Sequence, residues 1–409
     1  METNFYGFFF LAACYGLAST WRTPQPKAAW MAFVCGLLAA LVRPDGALLA
    51  VLIAGLTLHF ARGRRGALRA QLAPMVVCAV LGVAYFAARW SYFGYPLPNT
   101  YYLKTGGTYY QYIRGAIYTG WFAALFALPL LAAPVLRRVA GQAGRTDHSE
   151  HSGRGVALTI LWTVLLAYTA YVVYIGGDYM AMYRFFVPVL PLLYLLFGDA
   201  LHGLLGAAPD ARRLGFARAA TGLALAGTLL HSTPVEAAIF PKPSRQHGSY
   251  RGVQTERWHV ARLSLVGRFF QGYRSDPSES VVTKAIGAIA YHADMRILDY
   301  HGWVDTHIAH KQLPGIGKGL PGHEKADPAY MFSKKPTFYM FSRDLTSTPQ
   351  PMPSFDAELD PLVRAEYRLV AAPLDDAING ETGYFTFLQR RDRAITPGSN
   401  AIEVAAGER

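Results

Sequence analysis

Cysteine is nearly missing from this chain. Three occur among 409 residues, Cys14, Cys35 and Cys78, all inside apolar runs, and none follows residue 78. No disulfide framework can hold the second half, which must fold on its own core, and about 180 residues suffice for one. Charge is scarce too, at 16% of residues. Acidic side chains are scarcest at the front: residues 1–230 hold 18 Lys and Arg against seven Asp and Glu, whereas the remainder holds 21 against 20. The net charge of +12 therefore sits almost wholly among the apolar runs. That placement argues for membrane topology and against a nucleic-acid partner. The first 20 residues carry one charge, Glu2, so no basic n-region marks a cleavable signal. There is no His-Glu-x-x-His zinc helix, no phosphate-binding P-loop and no Ser-centred elbow.

What fills the first half is hydrophobic. Apolar runs fall at 4–20, 28–42, 47–61, 71–88, 115–136, 156–175, 185–206 and 219–233. Several are shorter than the ~20 residues of a perpendicular span, yet they are too many and too apolar for a soluble core. The sequence thus predicts an α-helical polytopic membrane domain of about eight spans over residues 1–233. A small extracytoplasmic α/β domain is expected over 234–393 and a disordered tail over 394–409. Alternate loops carry Arg22, Lys27, Arg62, Arg64, Arg65, Arg69, Arg137, Arg138, Arg145, Arg154, Arg212, Arg213 and Arg218. The opposite loops carry only Arg43, Arg89, Lys104, Arg114 and Arg184. The positive-inside rule then puts both the N-terminus and the C-terminal domain outside a bacterial plasma membrane.

The second half opens with Pro234, Pro241 and Pro243. An amphipathic helix is expected from about Thr255 to Phe270, with Trp258, Ala261, Leu265 and Phe269 on one face. Strands are expected at Ser280–Thr283, Arg296–Tyr300, Thr337–Phe341, Tyr367–Ala371 and Tyr384–Leu388, with a helix over Ile286–His292 and a second capped by Asp305.

Three polar motifs interrupt the apolar runs, all on the outer side of the expected topology. Ionisable groups at a membrane boundary are costly and commonly functional. In Arg43-Pro44-Asp45-Gly46, Arg43 suits a phosphate and Asp45 meets a sugar or orients Arg43; a polar turn closed by an ion pair explains the same residues. In the 94–107 stretch, Asn99, Tyr101, Tyr102 and Lys104 suit a sugar, while an interfacial aromatic belt accounts for the tyrosines alone. In the 176–186 stretch, Asp178 suits a base, a metal or a sugar, and Arg184, six residues on, can pair with it across a turn. Further on, Asp299, His301, Asp305, His307, His310, His323 and Glu324 cluster in sequence. Their spacing matches no zinc site, so solvated surface histidines or an acceptor-facing surface are the readings left.

RPDG, GYPLPNTYYLK, GGDYM with RFFVPVLP, DYHGWVDTHIA and GHEK stand in one order between Glu2 and Tyr330. That ordered set resembles the GT-C-type membrane glycosyltransferases akin to the terminal β-(1→2)-arabinofuranosyltransferase of actinobacterial cell walls. The resemblance implies a GT-C-like fold. It also implies transfer of a sugar, such as arabinofuranose, from a polyprenyl-phosphate donor to a cell-envelope glycan acceptor outside the bilayer. It implies Arg43, Lys104 and Arg184 on the donor phosphate, and Asp45 or Asp178 as the remaining acids for catalysis. Asn99, Tyr101, Tyr102, Asp299, Asp305, His323 and Glu324 would face sugar or acceptor. No cofactor is called for, a divalent cation alone being left open. Met1-Glu2-Thr3 resembles an internal segment of that family, so the expectation is a chain lacking its first spans and the outer loop that bears the family's key acid. A non-catalytic glycan-binding or assembly protein and a lipid-linked-sugar transporter subunit are the competing expectations.

Overall fold

The computed structural model describes residues 2–22, 25–62, 65–139, 148–180, 183–206, 210–231 and 249–405. The expected Pro-rich exit at 234–243 lies outside them. The chain divides into two compact units. One comprises Met1–Pro98 with Gly107–Tyr250, the other Asn99–Gly106 with Arg251–Arg409.

The first unit is helical. Helices α1 (Glu2–Arg22), α2 (Pro26–Val42), α3 (Gly46–Phe60) and α4 (Arg65–Phe93) precede the excursion to the other unit. Then come α6 (Tyr109–Phe122), a π turn (Ala123–Ala127), α7 (Leu128–Val139), α8 (His148–Tyr174), α9 (Leu190–Leu205) and α10 (Ala211–His231). Each expected apolar run is mainly helical over its described residues. Three helical stretches among the described residues, Leu68–Phe93, Gly153–Tyr174 and Val187–Leu205, are long and apolar enough to cross a membrane. The expectation of eight spans is thus not supported. Length is one reason: α2 and α3 have 17 and 15 residues, roughly 25 and 22 Å at the helical rise, against a ~30 Å hydrocarbon layer. The long run at 115–136 is divided by the π turn into helices of 14 and 12 residues. The core gathers Tyr6, Phe10, Phe33, Ile53, Tyr168, Phe186 and Leu193, all buried.

The second unit is a three-layer α/β/α sandwich. Its sheet runs β2–β1–β3–β6–β5–β7. Strands β1 (Ser280–Thr283), β2 (Arg296–Asp299) and β3 (Phe338–Tyr339) are parallel. Strands β5 (Tyr367–Asp376), β6 (Glu381–Arg390) and β7 (Ile402–Val404) join antiparallel, and β4 (Leu345–Thr346) pairs with β6. Alternation along each strand sends neighbours to opposite faces. Val281, Phe338, Val370 and Phe387 pack on one side with α11 (Ser249–Tyr273) and α12 (Ile286–Ala293). Val282, Tyr339, Leu369 and Leu388 pack on the other with α13 (Thr306–His310), α14 (Pro328–Ser333) and α15 (Leu359–Glu366).

Two expectations change here. The residues of α11 in the core are Leu263, Val266, Phe270 and Tyr273; of the expected stripe Trp258 is exposed, whereas Ala261 is buried and Phe269 packs against the same core. The two stripes are adjacent at helical spacing, and only the packed sheet centres the buried face. The tail expected to be disordered from 394 is ordered to residue 405, because Ile402–Val404 adds a strand to the edge of β5.

Candidate functional site

Polar side chains converge at two places, one in each unit. In the first unit, α2 ends at Val42 and α3 begins at Gly46, with Arg43-Pro44-Asp45 as the turn. A Cβ on Gly46 would run into the Ala39 carbonyl, so only glycine lets the chain double back so tightly. Arg43 binds Asp45 through two contacts, Nε to Oδ1 and Nη2 to Oδ2, both 2.9 Å. The Tyr168 hydroxyl donates to Asp45 Oδ2 at 2.8 Å. Both ionised groups are buried.

The 176–186 loop joins them. Gly176 and Gly177 have φ of +83° and +69°, and a side chain on Gly177 would strike the Tyr118 ring. The non-glycine Tyr183 also adopts φ of +45°, a conformation that persists only where its surroundings impose it. Buried Asp178 forms an ion pair with Arg184 Nε across the loop. The Phe185 ring then links the two motifs. The Arg43 guanidinium lies 5.0 Å from its centroid and that of Arg184 5.7 Å. Arg43 is also 5.0 Å from the Tyr6 ring. Cations held against rings are stabilised more strongly once desolvated.

The second site assembles on α5 (Asn99–Lys104), which is grouped with the second unit. Asn99 Nδ2 donates to the carbonyls of Gly302 (2.8 Å), Trp303 (3.2 Å) and Asp305 (3.3 Å). Buried Lys325 donates to the Tyr102 and Ala309 carbonyls at 2.9 and 2.7 Å. Tyr102 packs on His310 at 4.0 Å, and Lys104 Nζ sits 5.1 Å from the Trp303 ring centre. Trp303 and His301 both meet the ring of His323 edge-on.

The carboxylates of this region bind backbone. Asp299 accepts from the amides of His301 and Val304 at 3.1 and 2.7 Å; its burial raises its pKa against the pull of those amides. Asp305 caps α13 through Ile308 N and accepts from the Tyr330 hydroxyl. Glu324 accepts from the amides of Gly317 and Gly319. His301 Nδ1 is 3.0 Å from the Lys325 carbonyl. A carbonyl can only accept, so Nδ1 carries the proton. Burial lowers the His301 pKa, helped by the Lys284 charge and opposed by that hydrogen bond.

The sequence-derived residues therefore sort into two groups. Arg43, Asp45, Asp178 and Arg184 come together in the first unit, while Lys104 belongs to the second. Asp45 and Asp178 each hold an arginine, so neither stands as an unengaged base. Asn99, Tyr102, Asp299, Asp305 and Glu324 brace a loop assembly, and Tyr101 is half-buried beside Tyr102. Tyr6, Tyr168, Phe185, Trp303 and Lys325 complete the two clusters. As apolar or belt-like residues in sequence, Tyr6 and Tyr168 gave no signal; Phe185, Trp303 and Lys325 were visible only as parts of the RFFVPVLP, DYHGWVDTHIA and GHEK motifs. No group of three or more His, Cys, Asp and Glu side chains arranged for a metal occurs among the described residues.

The family described as a domain of unknown function (DUF8728) matches residues 249–393. That stretch opens with α11 and closes just after β6. No curated protein and no solved structure matches the chain.

Proposed function

We infer that the chain is a GT-C-type membrane glycosyltransferase, passing a sugar from a polyprenyl-phosphate donor in the bilayer to a glycan acceptor outside the cytoplasm. The observation that carries this reading is the sharing of one ring, Phe185, by Arg43 and Arg184 at the ends of apolar helices. Two fixed cations at a low-dielectric boundary suit a phosphate that gains charge as it departs. Each guanidinium has donors beyond those its carboxylate uses. The ordered motifs add the sugar, arabinofuranose, and the cell-wall acceptor. A two-sided sheet domain whose loops carry Trp303 and His323, with Lys104 of α5 over the Trp303 ring, suits the acceptor.

The test is sugar transfer and donor binding by the purified protein in membranes with a polyprenyl-phosphate sugar. Arg43→Ala and Arg184→Ala are each expected to weaken donor binding at least about tenfold, the scale of one charge-assisted contact. Donor binding unchanged in both would remove the phosphate role.

A second reading, a non-catalytic glycan-binding or assembly protein, is favoured by one observation: both candidate bases are engaged by arginine. Donor binding without transfer by the wild-type chain selects it. Translocation of the lipid-linked sugar without transfer would select a transporter subunit instead.

A further inference from the structure

The C-terminal ends of the parallel strands hold a cluster that the transferase reading leaves out. After β1 the chain crosses by α12, whose Ile289 and Ala293 pack on one face of the sheet. After β2 it crosses by α13 and α14, whose Ile308, Met331 and Phe332 pack on the other. Strand β1 lies between β2 and β3, so the connections diverge beside it. Open α/β sheets bind their ligands outside the carboxyl ends of the strands at such a divergence. Here the strands end at Thr283, Asp299 and Tyr339, and Lys284, Tyr300 and His301 follow the first two.

Two polar groups at this end lack a protein partner. Lys284 forms no ion pair or hydrogen bond among the described residues, and its Nζ lies 5.2 Å from the Tyr300 ring centroid. Partial burial holds its pKa below the ordinary lysine value, with no carboxylate offsetting that shift. The carboxylates around it are engaged by backbone, Asp299 by the amides of His301 and Val304 and Glu324 by those of Gly317 and Gly319. His301 is only 8% exposed. Its protonated Nδ1 faces the Lys325 carbonyl, so Nε2 is a bare acceptor, and no described residue donates to it. The Tyr300 ring stands beside both groups, edge-on to His301 at 5.1 Å and braced edge-on by buried Tyr339. The Lys284 charge is felt at the His301 ring. A bare acceptor nitrogen near an uncompensated ammonium matches a molecule that offers both a hydroxyl hydrogen and an anionic oxygen.

We propose that this end of the sheet binds an acidic sugar, one bearing a carboxylate or a phosphate, with its anionic oxygens on Lys284 and a hydroxyl donating to His301 Nε2. The site lies wholly within the second unit. It does not rest on the transferase reading, since binding is measured without transfer. A neutral sugar satisfies His301 and leaves the Lys284 ammonium uncompensated, so the charge sets the specificity.

The experiment uses the full chain in nanodiscs and three probes, glucuronate, glucose 6-phosphate and methyl glucoside, with dissociation constants from ligand-observed NMR. The wild type is expected to bind at least one acidic sugar about tenfold more tightly than methyl glucoside. The tighter of the two acidic probes assigns the anion as carboxylate or phosphate. Lys284→Gln is expected to remove the preference for the acidic sugar and leave methyl glucoside unchanged. His301→Asn keeps a donor near the Nδ1 position and lacks Nε2; it is expected to weaken the acidic sugar about threefold or more. If His301→Asn does not fold, Lys284→Gln, at an exposed position, carries the test. Equal binding of acidic and neutral sugars by the wild type, or a preference that survives in Lys284→Gln, overturns the assignment. Sugar transfer from a polyprenyl-phosphate donor without acidic-sugar binding removes this site and leaves the transferase. Acidic-sugar binding through Lys284 without transfer leaves this site and removes the transferase.

Discussion

At the scale of single residues, the same side chain serves different ends according to what surrounds it. Asn99 reads in the sequence as a sugar contact, but its amide is spent on three carbonyls of the 302–305 loop. Asn99→Ala leaves those carbonyls without that donor, and a net loss of about 1–2 kcal/mol is expected locally. Hydrogen exchange should report it as faster exchange at Ile308 and Ala309, the buried amides of the helix that the loop supports. Rates matching the wild type would return Asn99 to the ligand-binding role. Arg43 and Asp45 illustrate the converse. Their pairing is one of the two readings that the motif offers, and their burial makes it costly to break. Asp45→Asn is expected to destabilise the helical unit by about 3–5 kcal/mol, the penalty for a buried cation left without its counter-charge. The midpoint of chemical unfolding measures it, and Arg43→Met with Asp45→Asn together should recover part of the loss.

At the scale of elements, the loop that follows β2 is set by Asp299, His301 and Lys325 acting on backbone. His301 is held neutral by burial, so its folded pKa lies below the ordinary value near 6.5. Between those two values the unfolded chain binds more protons than the folded one, so stability rises with pH across that window. Acidification from pH 7.5 to 5.5 should loosen the 299–310 loop and α13. Exchange at these amides should rise on acidification beyond the intrinsic pH effect, and His301→Gln, which keeps a donor for the Lys325 carbonyl but does not titrate, should blunt the rise. An identical pH response in that variant would assign the effect elsewhere. Asp299 acts in the opposite sense: its raised pKa favours the folded form when protonated, and that contribution is lost as pH climbs through the raised value.

At the scale of the whole molecule, the boundaries of the second unit are its least obvious property. The matched family domain stops at Arg393, yet β7 continues the sheet and α5 reaches the same unit from more than 140 residues earlier in the chain. Removing residues 394–409 from the full chain should expose the long edge of β5, whose 369–371 segment loses its partner. The expected result is faster exchange in β5 and a greater tendency to aggregate, the ordinary consequence of an uncovered edge. Unchanged behaviour would make β7 dispensable.

Local pattern determined much of this protein. The apolar runs at 4–20, 28–42, 47–61 and 156–175 are helices because their composition permits no solvated alternative, and the strands at 280–283 and 296–299 follow from short β-branched or aliphatic stretches between breakers. The pairing of Asp178 with Arg184 and the capping of α13 by Asp305 were legible because both link residues close in sequence. Tertiary structure decided what depends on distant partners. It brought Tyr168 to Asp45 across 123 positions and Arg43 to the Phe185 ring. It gave Asn99 to the 302–305 loop and centred the buried face of α11. Hydrophobic period and turn chemistry are properties of neighbours along the chain, so they can be read from it. Which buried carboxylate meets which cation is a property of packing, where desolvation makes every unpaired charge costly and only the assembled core supplies the partner.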